Sequence, residues 1–391
     1  MARLCTIRDV DWRGKTALVR VDFNVPMKDG QVADDTRIRA ALPTLDYLRQ
    51  HGARVVLLSH LGRPDGQPNR KYSLRPVAER LRHLLGSPVL FGEDCVGQPA
   101  QSAVRAIGPG EVVLLENVRF HPEEEANDRS FAADLAKLGD TFVNDAFGTA
   151  HRAHASTEGV AHLLPAVAGL LIEKEIVSIG TALENPKRPF VAIVGGAKVS
   201  SKLAVLQNLI DRVDRLLIGG GMANTFLKAQ GHEVGRSLLE ADLVPAAKDL
   251  LSRAGKIVLP SDVMVTTDLK SDAPVTRRAS DEVEPDDIIA DIGQDTLHQF
   301  TREIGGAGTV LWNGPMGIFE DPRFAKGTLE VARAMASASA TTIVGGGESV
   351  QAVEQAGVAD KLSHVSTGGG ASLEFIEGKT LPGVAALRTD C

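Results

Sequence analysis

The chain has 391 residues and a mass of 41.5 kDa, which is too long for one ordinary domain and predicts two or three. Hydrophobic residues at 43% and charged residues at 24% are ordinary globular values, so they exclude a disordered chain, a collagen and a coiled coil. The net charge of −7 argues against nucleic acid as the main partner. An anion site must therefore be a local concentration of Arg and Lys.

Short apolar runs alternate with amphipathic stretches along the whole chain. The predicted strands are Thr16–Val21, Arg54–Leu58, Glu111–Leu115, Thr141–Val143, Phe190–Val194, Arg215–Ile218, Lys256–Leu259, Thr309–Trp312, Thr341–Val344 and Ser363–Val365. The predicted helices include Thr36–Arg49, Ser73–Leu85 and Ser200–Ile210, each with apolar residues on one face. This alternation predicts βαβ units and parallel sheets that are buried on both faces.

The predicted strands are more numerous than one sheet of this kind usually contains, so the chain is predicted to divide into two domains. The break falls at the helical segment Leu170–Glu184, which the turn-rich segment Asn185–Pro189 follows. We predict an α/β protein of two doubly wound parallel-sheet (Rossmann-like) domains, residues 1–169 and 170–372, joined by an interdomain helix and hinge.

The cysteines and the apolar segments limit the cellular setting. Cys5, Cys95 and Cys391 are far apart and form no CxxC, which predicts neither a zinc site nor a disulfide framework. The N-terminal region has no apolar segment typical of a signal peptide. The longest apolar run, residues 163–172, is far shorter than the roughly 20 residues that span a bilayer. We expect a soluble, cytoplasmic protein that does not bind membranes.

Polar residues follow the predicted strands of the first half, where ligands of open α/β sheets bind. They are Asp22, Asn24, His60, Arg63, Arg119, His151 and Arg152, and Arg37 opens the next helix. Guanidinium groups bind phosphate and carboxylate bidentately. The group therefore predicts a site for a small molecule that carries phosphate and carboxylate. The alternative for any single arginine is a surface ion pair, and for His60 or His151 alone a structural histidine.

Glycine loops follow the strands of the second half. They are Gly195–Gly196, Gly219–Gly221, Gly314–Gly317, Gly345–Gly347 and Gly368–Gly370. Such loops let backbone N–H groups approach phosphates at helix N-termini. No Walker motif is present, and residues 219–224 lack the last glycine of GxGxxG. The alternative for one glycine triplet is a plain turn.

Two lysines and two acids accompany these loops. Ser200 or Ser201 is predicted to cap the next helix, which places Lys202 in its first turn beside Lys198. A cation there opposes the helix dipole unless an anion is bound. The alternative is that both lysines extend into solvent. Glu348 can stabilise its helix without any ligand, and Glu320 can be a solvated loop acid.

An arginine-rich domain and a glycine- and lysine-rich domain together predict a two-domain phosphotransferase. Phosphoryl transfer needs positioned reactants, cations along the moving group and exclusion of water. Half-sites on separate domains imply domain closure. A different kinase or a dehydrogenase would need a GxGxxG motif, which the sequence lacks. A non-enzymatic anion-binding module is the other alternative.

The sequence resembles the phosphoglycerate kinase family nearly from end to end. The segments that carry the resemblance are 20–26, 59–64, 116–120, 144–154, 195–200, 312–317 and 366–374. The resemblance implies reversible, direct in-line phosphoryl transfer from 1,3-bisphosphoglycerate to Mg-ADP, which gives 3-phosphoglycerate and ATP in glycolysis. It also implies that small molecules are the partners, that the enzyme is a monomer, and that residues from about 373 to 391 return to the first domain.

The resemblance also assigns roles. The residues implied to bind phosphoglycerate are Asp22, Asn24, Arg37, His60, Arg63, Arg119 and Arg152. The residues implied to bind the nucleotide are Lys198, Lys202, Gly293, Asn313, Glu320, Gly346, Gly347, Glu348 and Ser349, with Glu348 as the ligand of Mg²⁺. Arg37, Lys198 and the backbone of Gly370 are implied to be catalytic. The sequence departs from the family pattern at Ser201, Glu348 and Gln294–Asp295, which affects a loop contact, the metal geometry and the pocket rim.

Overall fold

The computed structural model describes residues 4–253 and 255–391. Residues 1–3 and 254, which fall inside the predicted domains, lie outside the described residues. The contacts divide the chain into two compact units: one runs up to Val177 and includes Thr380–Cys391, and the other is Ser178–Lys379. The division falls inside the helix Leu170–Glu184, whereas the sequence placed it at residue 170. None of the described helices is long and apolar enough to cross a membrane.

The first unit is built on a six-stranded parallel sheet with the order β5-β6-β4-β1-β7-β8. Its strands are β1 (Thr16–Val21), β4 (Arg54–Leu58), β5 (Val89–Gly92), β6 (Val112–Leu115), β7 (Thr141–Asp145) and β8 (Ala166–Ala168), and a small hairpin adds β2 (Met27–Lys28) and β3 (Gln31–Val32). The chain order reverses at β1, which lies between β4 and β7. Ligands of such sheets bind beyond the carboxyl ends of the strands at this reversal.

The helices of this unit are α1 (Thr36–Gln50), α2 (Arg75–Leu85), α3 (Gly97–Arg105), α4 (Pro122–Glu125) and α5 (Arg129–Ala136), and α6 (Leu170–Glu184) begins in it. The apolar face of α1 is buried through Ile38, Leu45 and Leu48, and it joins the core cluster that also contains the β1 side chains. Burial of one such side chain contributes about 1.5–3 kcal/mol. The amphipathic pattern of the sequence therefore identifies the helix face that packs on the sheet.

The second unit has its own six-stranded parallel sheet, with the order β11-β10-β9-β15-β16-β17. Its strands are β9 (Phe190–Val194), β10 (Arg215–Ile218), β11 (Ile257–Val258), β15 (Thr309–Asn313), β16 (Thr341–Gly345) and β17 (His364–Val365). Its helices are α7 (Leu203–Ile210), α8 (Met222–Ala229), α9 (Val244–Ser252), α10 (Gln294–Gly305), α11 (Lys326–Ser337), α12 (Gly347–Gln355) and α13 (Gly370–Ile376). Two parallel α/β sheets confirm the predicted fold class.

The second unit also holds a three-stranded antiparallel sheet that the sequence prediction missed. Its strands are β12 (Asp262–Thr266), β13 (Thr276–Ala279) and β14 (Ile288–Ile292), in the order β13-β12-β14. The strand β13 carries two arginines and no buried apolar residue, so it lacks the alternation by which strands are recognised.

The C-terminal segment packs on the first unit through α14 (Pro382–Ala385). Asn144 donates a hydrogen bond of 2.9 Å from Nδ2 to the Gly383 carbonyl, and the Cys5 amide donates to the Arg388 carbonyl at 2.8 Å. A disulfide joins Cys5 to Cys391. The prediction of no disulfide is therefore wrong for this pair, because a separation of 386 residues in sequence carries no information about proximity in the fold.

The carboxyl group of Asp145, at the end of β7, is fully buried at the start of α6. Its Oδ1 accepts a hydrogen bond of 2.9 Å from the Leu171 amide, while Oδ2 has no partner. Burial raises the pKa of this group from 3.8 to about 8. As the pH rises, the Asp145 carboxyl group loses its proton at a lower pH in the unfolded chain than in the folded protein. Asp145 should therefore lower the stability of the fold progressively between about pH 4 and pH 8.

We expect Asp145→Asn to remove this pH dependence. Relative to the variant, the parent protein should lose up to about 5 kcal/mol of unfolding free energy between pH 4 and pH 8, at 1.36 kcal/mol per pKa unit. Urea unfolding across this range measures the effect. Parallel stability curves for the two proteins would contradict it.

Candidate functional site

In the first unit, the loop after β1 and the loop after β4 are joined by polar contacts. The Arg37 guanidinium, in the first turn of α1, donates from Nη1 to Asp22 Oδ2 at 2.9 Å and to the Asn24 carbonyl at 3.3 Å. The Asn24 Oδ1 atom accepts a hydrogen bond of 2.9 Å from the Gly62 amide. The structure therefore brings Asp22, Asn24 and Arg37 together, and Asp22 holds the guanidinium of Arg37 in place.

His60 is buried behind these groups and contacts a further arginine, Arg20. The distance from Arg20 Nη2 to His60 Nδ1 is 3.1 Å. Because a guanidinium can only donate, Nδ1 must be the acceptor, and the proton of the imidazole lies on Nε2. Burial lowers the pKa of His60 well below its usual value, and the neighbouring arginines lower it further. His60 is thus a neutral imidazole with a fixed tautomer.

Arg20 is the residue that the sequence prediction of the site missed. It is fully buried, and its Nε donates to Ser156 Oγ at 2.7 Å. The Ser156 hydroxyl donates in turn to the buried Glu124 carboxylate at 2.6 Å. The same carboxylate also accepts a hydrogen bond of 2.8 Å from the Ser156 amide. Burial raises the pKa of Glu124, while Arg20 acts to lower it. The signal in the sequence was a charged residue inside an otherwise apolar strand.

The remaining arginines differ in their surroundings. Arg119 is buried, donates from Nη1 to the Gly62 carbonyl at 3.0 Å and pairs through Nε with Glu125 at 3.0 Å. The positive charges of Arg20, Arg119, Arg37 and Arg152 all act to lower the pKa of His60. The Arg63 side chain is exposed. Three of the four predicted arginines therefore act on His60 together with Arg20, and Arg63 lies at the surface.

In the second unit, the glycine loops after β9 and β15 meet where the strand order reverses. A Cβ atom on Gly195 would lie 2.1 Å from the Pro315 carbonyl oxygen, and one on Gly314 would lie 2.2 Å from the Gly195 carbonyl oxygen. Glycine is required at both positions because these backbones approach so closely. Next to the loops is a cavity of about 560 Å³, lined by Gly196, Gly220, Gly221, Leu238, Met316, Glu320 and Glu348 among others.

Lys202 points toward the end of β15, where its Nζ contacts Asn313 Oδ1. Asn313 is buried, and its Nδ2 donates to the Gly345 carbonyl at 2.9 Å. Burial lowers the pKa of Lys202, while Glu348 and Glu377 act to raise it. A half-buried ammonium group beside a glycine loop is suited to bind an anion.

The predicted cap of α7 is wrong. The helix begins at Leu203, Lys202 is its N-cap residue, and no side chain caps it. Ser200 donates its hydroxyl proton to Glu240 at 2.5 Å, and Ser201 donates to the Lys198 carbonyl at 2.9 Å. Both hydroxyls are therefore occupied elsewhere.

The other residues predicted to bind the nucleotide differ in their surroundings. At the start of α12, Gly346 has φ +92°, Gly347 borders open space, and Ser349 Oγ accepts a hydrogen bond of 2.6 Å from the Gly314 amide. Lys198 and Gly370 are exposed. Gly293 is not among the residues that line the cavity, and a Cβ atom on it would meet the Asp262 carboxylate at 2.2 Å.

These features define the class of protein. An arginine cluster and a glycine-lined cavity, each at the reversal point of a parallel α/β sheet, are the features of a phosphotransferase acting on small anionic molecules. The sequence profile of phosphoglycerate kinase matches residues 7–379. The chain belongs to the phosphoglycerate kinase family, and it has phosphoglycerate kinase activity, a kinase activity of glycolysis.

Full-length relatives support this assignment. The chain is 60% identical over 393 residues to the phosphoglycerate kinase of Chloroflexus aurantiacus, with 98% of each chain covered. It is 58% identical to that of Moorella thermoacetica, with 99% of each covered. The solved structure of the Coxiella burnetii phosphoglycerate kinase matches with a TM-score of 0.90 at 42% identity, over 98% of each chain.

Proposed function

We propose that this chain catalyses reversible phosphoryl transfer from 1,3-bisphosphoglycerate to Mg-ADP, which gives 3-phosphoglycerate and ATP. The observation that supports this reaction is the cluster of Arg20, Arg37, Arg119 and Arg152 around a neutral His60. Its positive charge matches a substrate that carries phosphate and carboxylate groups. Direct in-line transfer after domain closure is part of the proposal.

On the phosphoglycerate side, we propose that the groups divide by charge and position. Arg37 binds the carboxyl oxygen of the substrate that exchanges the phosphoryl group with ADP. Asp22 and the Asn24 carbonyl hold the Arg37 guanidinium in position for this role. His60 donates from Nε2 to a substrate oxygen. The other proposed contacts are Asp22, Asn24, Arg63, Arg119 and Arg152.

On the nucleotide side, we propose that the glycine-lined cavity binds ADP. Lys202 binds the phosphates of the nucleotide. Its ammonium group is partially desolvated, which strengthens a charge-assisted hydrogen bond to a phosphate oxygen. Lys198 follows the transferred phosphoryl group, and the Gly370 amide stabilises the charge that develops on it. The other proposed contacts are Gly293, Asn313, Glu320, Gly346, Gly347 and Ser349.

The residues present fit a magnesium ion. Mg²⁺ keeps several waters and is held by one or two carboxylates together with substrate phosphates. Glu348 lines the cavity, and its negative charge acts to raise the pKa of Lys202. We therefore propose that the Glu348 carboxylate holds the ion beside the phosphates. When bound, Mg²⁺ neutralises phosphate charge.

A coupled assay of ATP formation from 1,3-bisphosphoglycerate tests the proposed reaction, with GDP measured beside ADP. The expected result is turnover that requires Mg²⁺ and is lost when the acyl phosphate is omitted. Absence of nucleoside triphosphate with either nucleotide would refute the proposal. Action as a monomer and a cytoplasmic location remain predictions.

Glu348→Gln is expected to weaken the binding of Mg-ADP roughly tenfold and to leave metal-free ADP unaffected, because the carboxylate acts on the ion and its water shell. Glu348→Asp keeps the charge and is the matched control, with affinity close to that of the parent. Calorimetric titration of both nucleotide forms measures this.

The competing account is that Glu348 only stabilises α12, in whose first turn it lies. That contribution is about 0.3–1 kcal/mol of stability. A lower melting temperature for Glu348→Gln with unchanged Mg-ADP affinity would show that the competing account is right.

A further inference from the structure

Three potential metal-ligating side chains meet in the first unit away from the arginine cluster. Asp94 and Cys95 lie between β5 and α3, and His121 lies just before α4. One ligand atom from each, the carboxylate oxygen, the sulfur and an imidazole nitrogen, lie within 4.8 Å of one another. Because the three residues come from two separate loops, their spacing in sequence matches no zinc motif.

The two half-buried members of the group, Asp94 and His121, are already oriented. Asp94 Oδ1 accepts hydrogen bonds from the Cys95 amide at 2.6 Å and from the Val96 amide at 3.4 Å, and it lies 2.8 Å from His121 Nε2. The His121 ring packs on Phe131 with 5.1 Å between ring centroids. Backbone and packing contacts thus fix the side chains that would otherwise have to be ordered by a ligand.

We propose that Asp94, Cys95 and His121 form a binding site for Zn²⁺ or a similar thiophilic divalent cation. A sulfur, an imidazole nitrogen and a carboxylate oxygen suit Zn²⁺, whereas Mg²⁺ and Ca²⁺ prefer oxygen alone. Tetrahedral bonds of about 2.0–2.3 Å place ligand atoms about 3.3–3.6 Å apart. The carboxylate and imidazole therefore need to separate by only about half an ångström, and the sulfur needs to approach them.

The position of the group leaves room for a fourth ligand. A cavity of about 850 Å³ is lined by Asp94 and His121, while Cys95 is buried behind them. Water in this cavity can complete a tetrahedron, as in zinc sites that keep an open position. Burial raises the pKa of the Cys95 thiol, so the cation displaces a proton from sulfur when it binds.

A cation bound at this site would stabilise the turn that contains His121. His121 directly follows the short helix Val118–Phe120, which carries Arg119. A cation held by His121 and by the Asp94–Cys95 loop therefore links two segments that are now joined by one side-chain hydrogen bond. The expected result is a higher melting temperature of the full chain in the presence of Zn²⁺.

The competing account is that Asp94 only bonds its own loop and His121, and that Cys95 is a small buried residue. Titration with Cd²⁺ under non-reducing conditions separates the two accounts, since a thiolate–cadmium bond gives an ultraviolet charge-transfer band. Cys5 and Cys391 are joined in a disulfide, so Cys95 is the free cysteine of the three in the sequence. The proposal predicts one such band per chain, and competition by Zn²⁺.

Cys95→Ser should abolish the band, and His121→Ala should weaken cation binding roughly tenfold or more. His162→Ala is the matched control, because His162 also lies beside a carboxylate, Glu158 at 2.5 Å, but is not part of the cysteine-containing group. It should bind Cd²⁺ like the parent. If Cys95→Ser does not fold, Asp94→Asn, which keeps the side-chain size, should show the same weakening as His121→Ala. No band in the parent chain, or equal affinity in the His121 and His162 variants, would overturn the proposal.

Discussion

Replacing Arg20 with methionine is expected to destabilise the first unit by about 3–5 kcal/mol. The guanidinium is fully buried and reaches the buried Glu124 through the Ser156 hydroxyl, so its removal leaves a carboxylate without its compensating charge. His60 also loses the donor that fixes its tautomer, and its pKa should rise because one nearby positive charge is gone. Urea unfolding measures the first effect, and NMR titration of the imidazole measures the second.

A double variant provides the control for this prediction. Arg20→Met combined with Glu124→Gln removes both charges, so much of the lost stability should return while the His60 pKa stays raised. A single variant that loses no more than about 1 kcal/mol, the range of an ordinary surface pair, would show that the buried network contributes little.

Arg37→Ala is expected to lower kcat by about 10²–10³-fold while the KM for 3-phosphoglycerate changes much less. The proposed role of Arg37 is to stabilise charge on the carboxyl oxygen during transfer, and such donors act mainly in the transition state. Asp22 and the Asn24 carbonyl orient the guanidinium in the free protein, which favours this role over loose attraction of the substrate. Steady-state kinetics in both directions measure the effect.

Two comparisons sharpen this test. Arg39 lies on the same helix but pairs with Asp35 at the surface, so Arg39→Ala should leave the kinetics unchanged. Arg63→Ala and Arg152→Ala should weaken substrate binding more than they lower kcat. If all three site variants lose binding equally and keep kcat, the proposed division of roles is wrong.

The sequence predicted most strands of the parallel sheets because they are largely apolar, but it missed the two edge strands of the first sheet, β5 and β8. Each predicted strand has a counterpart in the structure, and Thr16–Val21, Arg54–Leu58, Phe190–Val194 and Arg215–Ile218 have the predicted bounds. The strand β13 of the antiparallel sheet was missed for an electrostatic reason. Arg277 and Arg278 of β13 pair with Asp262 and Asp287, so side-chain ion pairs and not apolar burial accompany that strand.

The candidate site was predicted where its residues follow strand ends or open the next helix. Asp22, Asn24 and His60 follow strands, Arg37 lies in the first turn of α1, and the topology brings them together. Glu124 belongs to a run of three glutamates that looks solvated in the sequence, yet it is fully buried. Its burial depends on Ser156, which lies 32 residues away, and no local pattern encodes such a contact. The α7 cap failed similarly, because Ser200 pairs with the distant Glu240.

The disulfide between Cys5 and Cys391 changes the topology of the molecule from a line to a ring. The backbone from Cys5 to Cys391 and the sulfur bridge form one closed covalent circuit, and the whole second unit lies within it. A single cut of the backbone inside the circuit therefore leaves one covalent molecule, whose two pieces separate only after reduction. The second unit is in this sense an insertion within a covalent ring, because the disulfide joins the two chain segments that form the first unit.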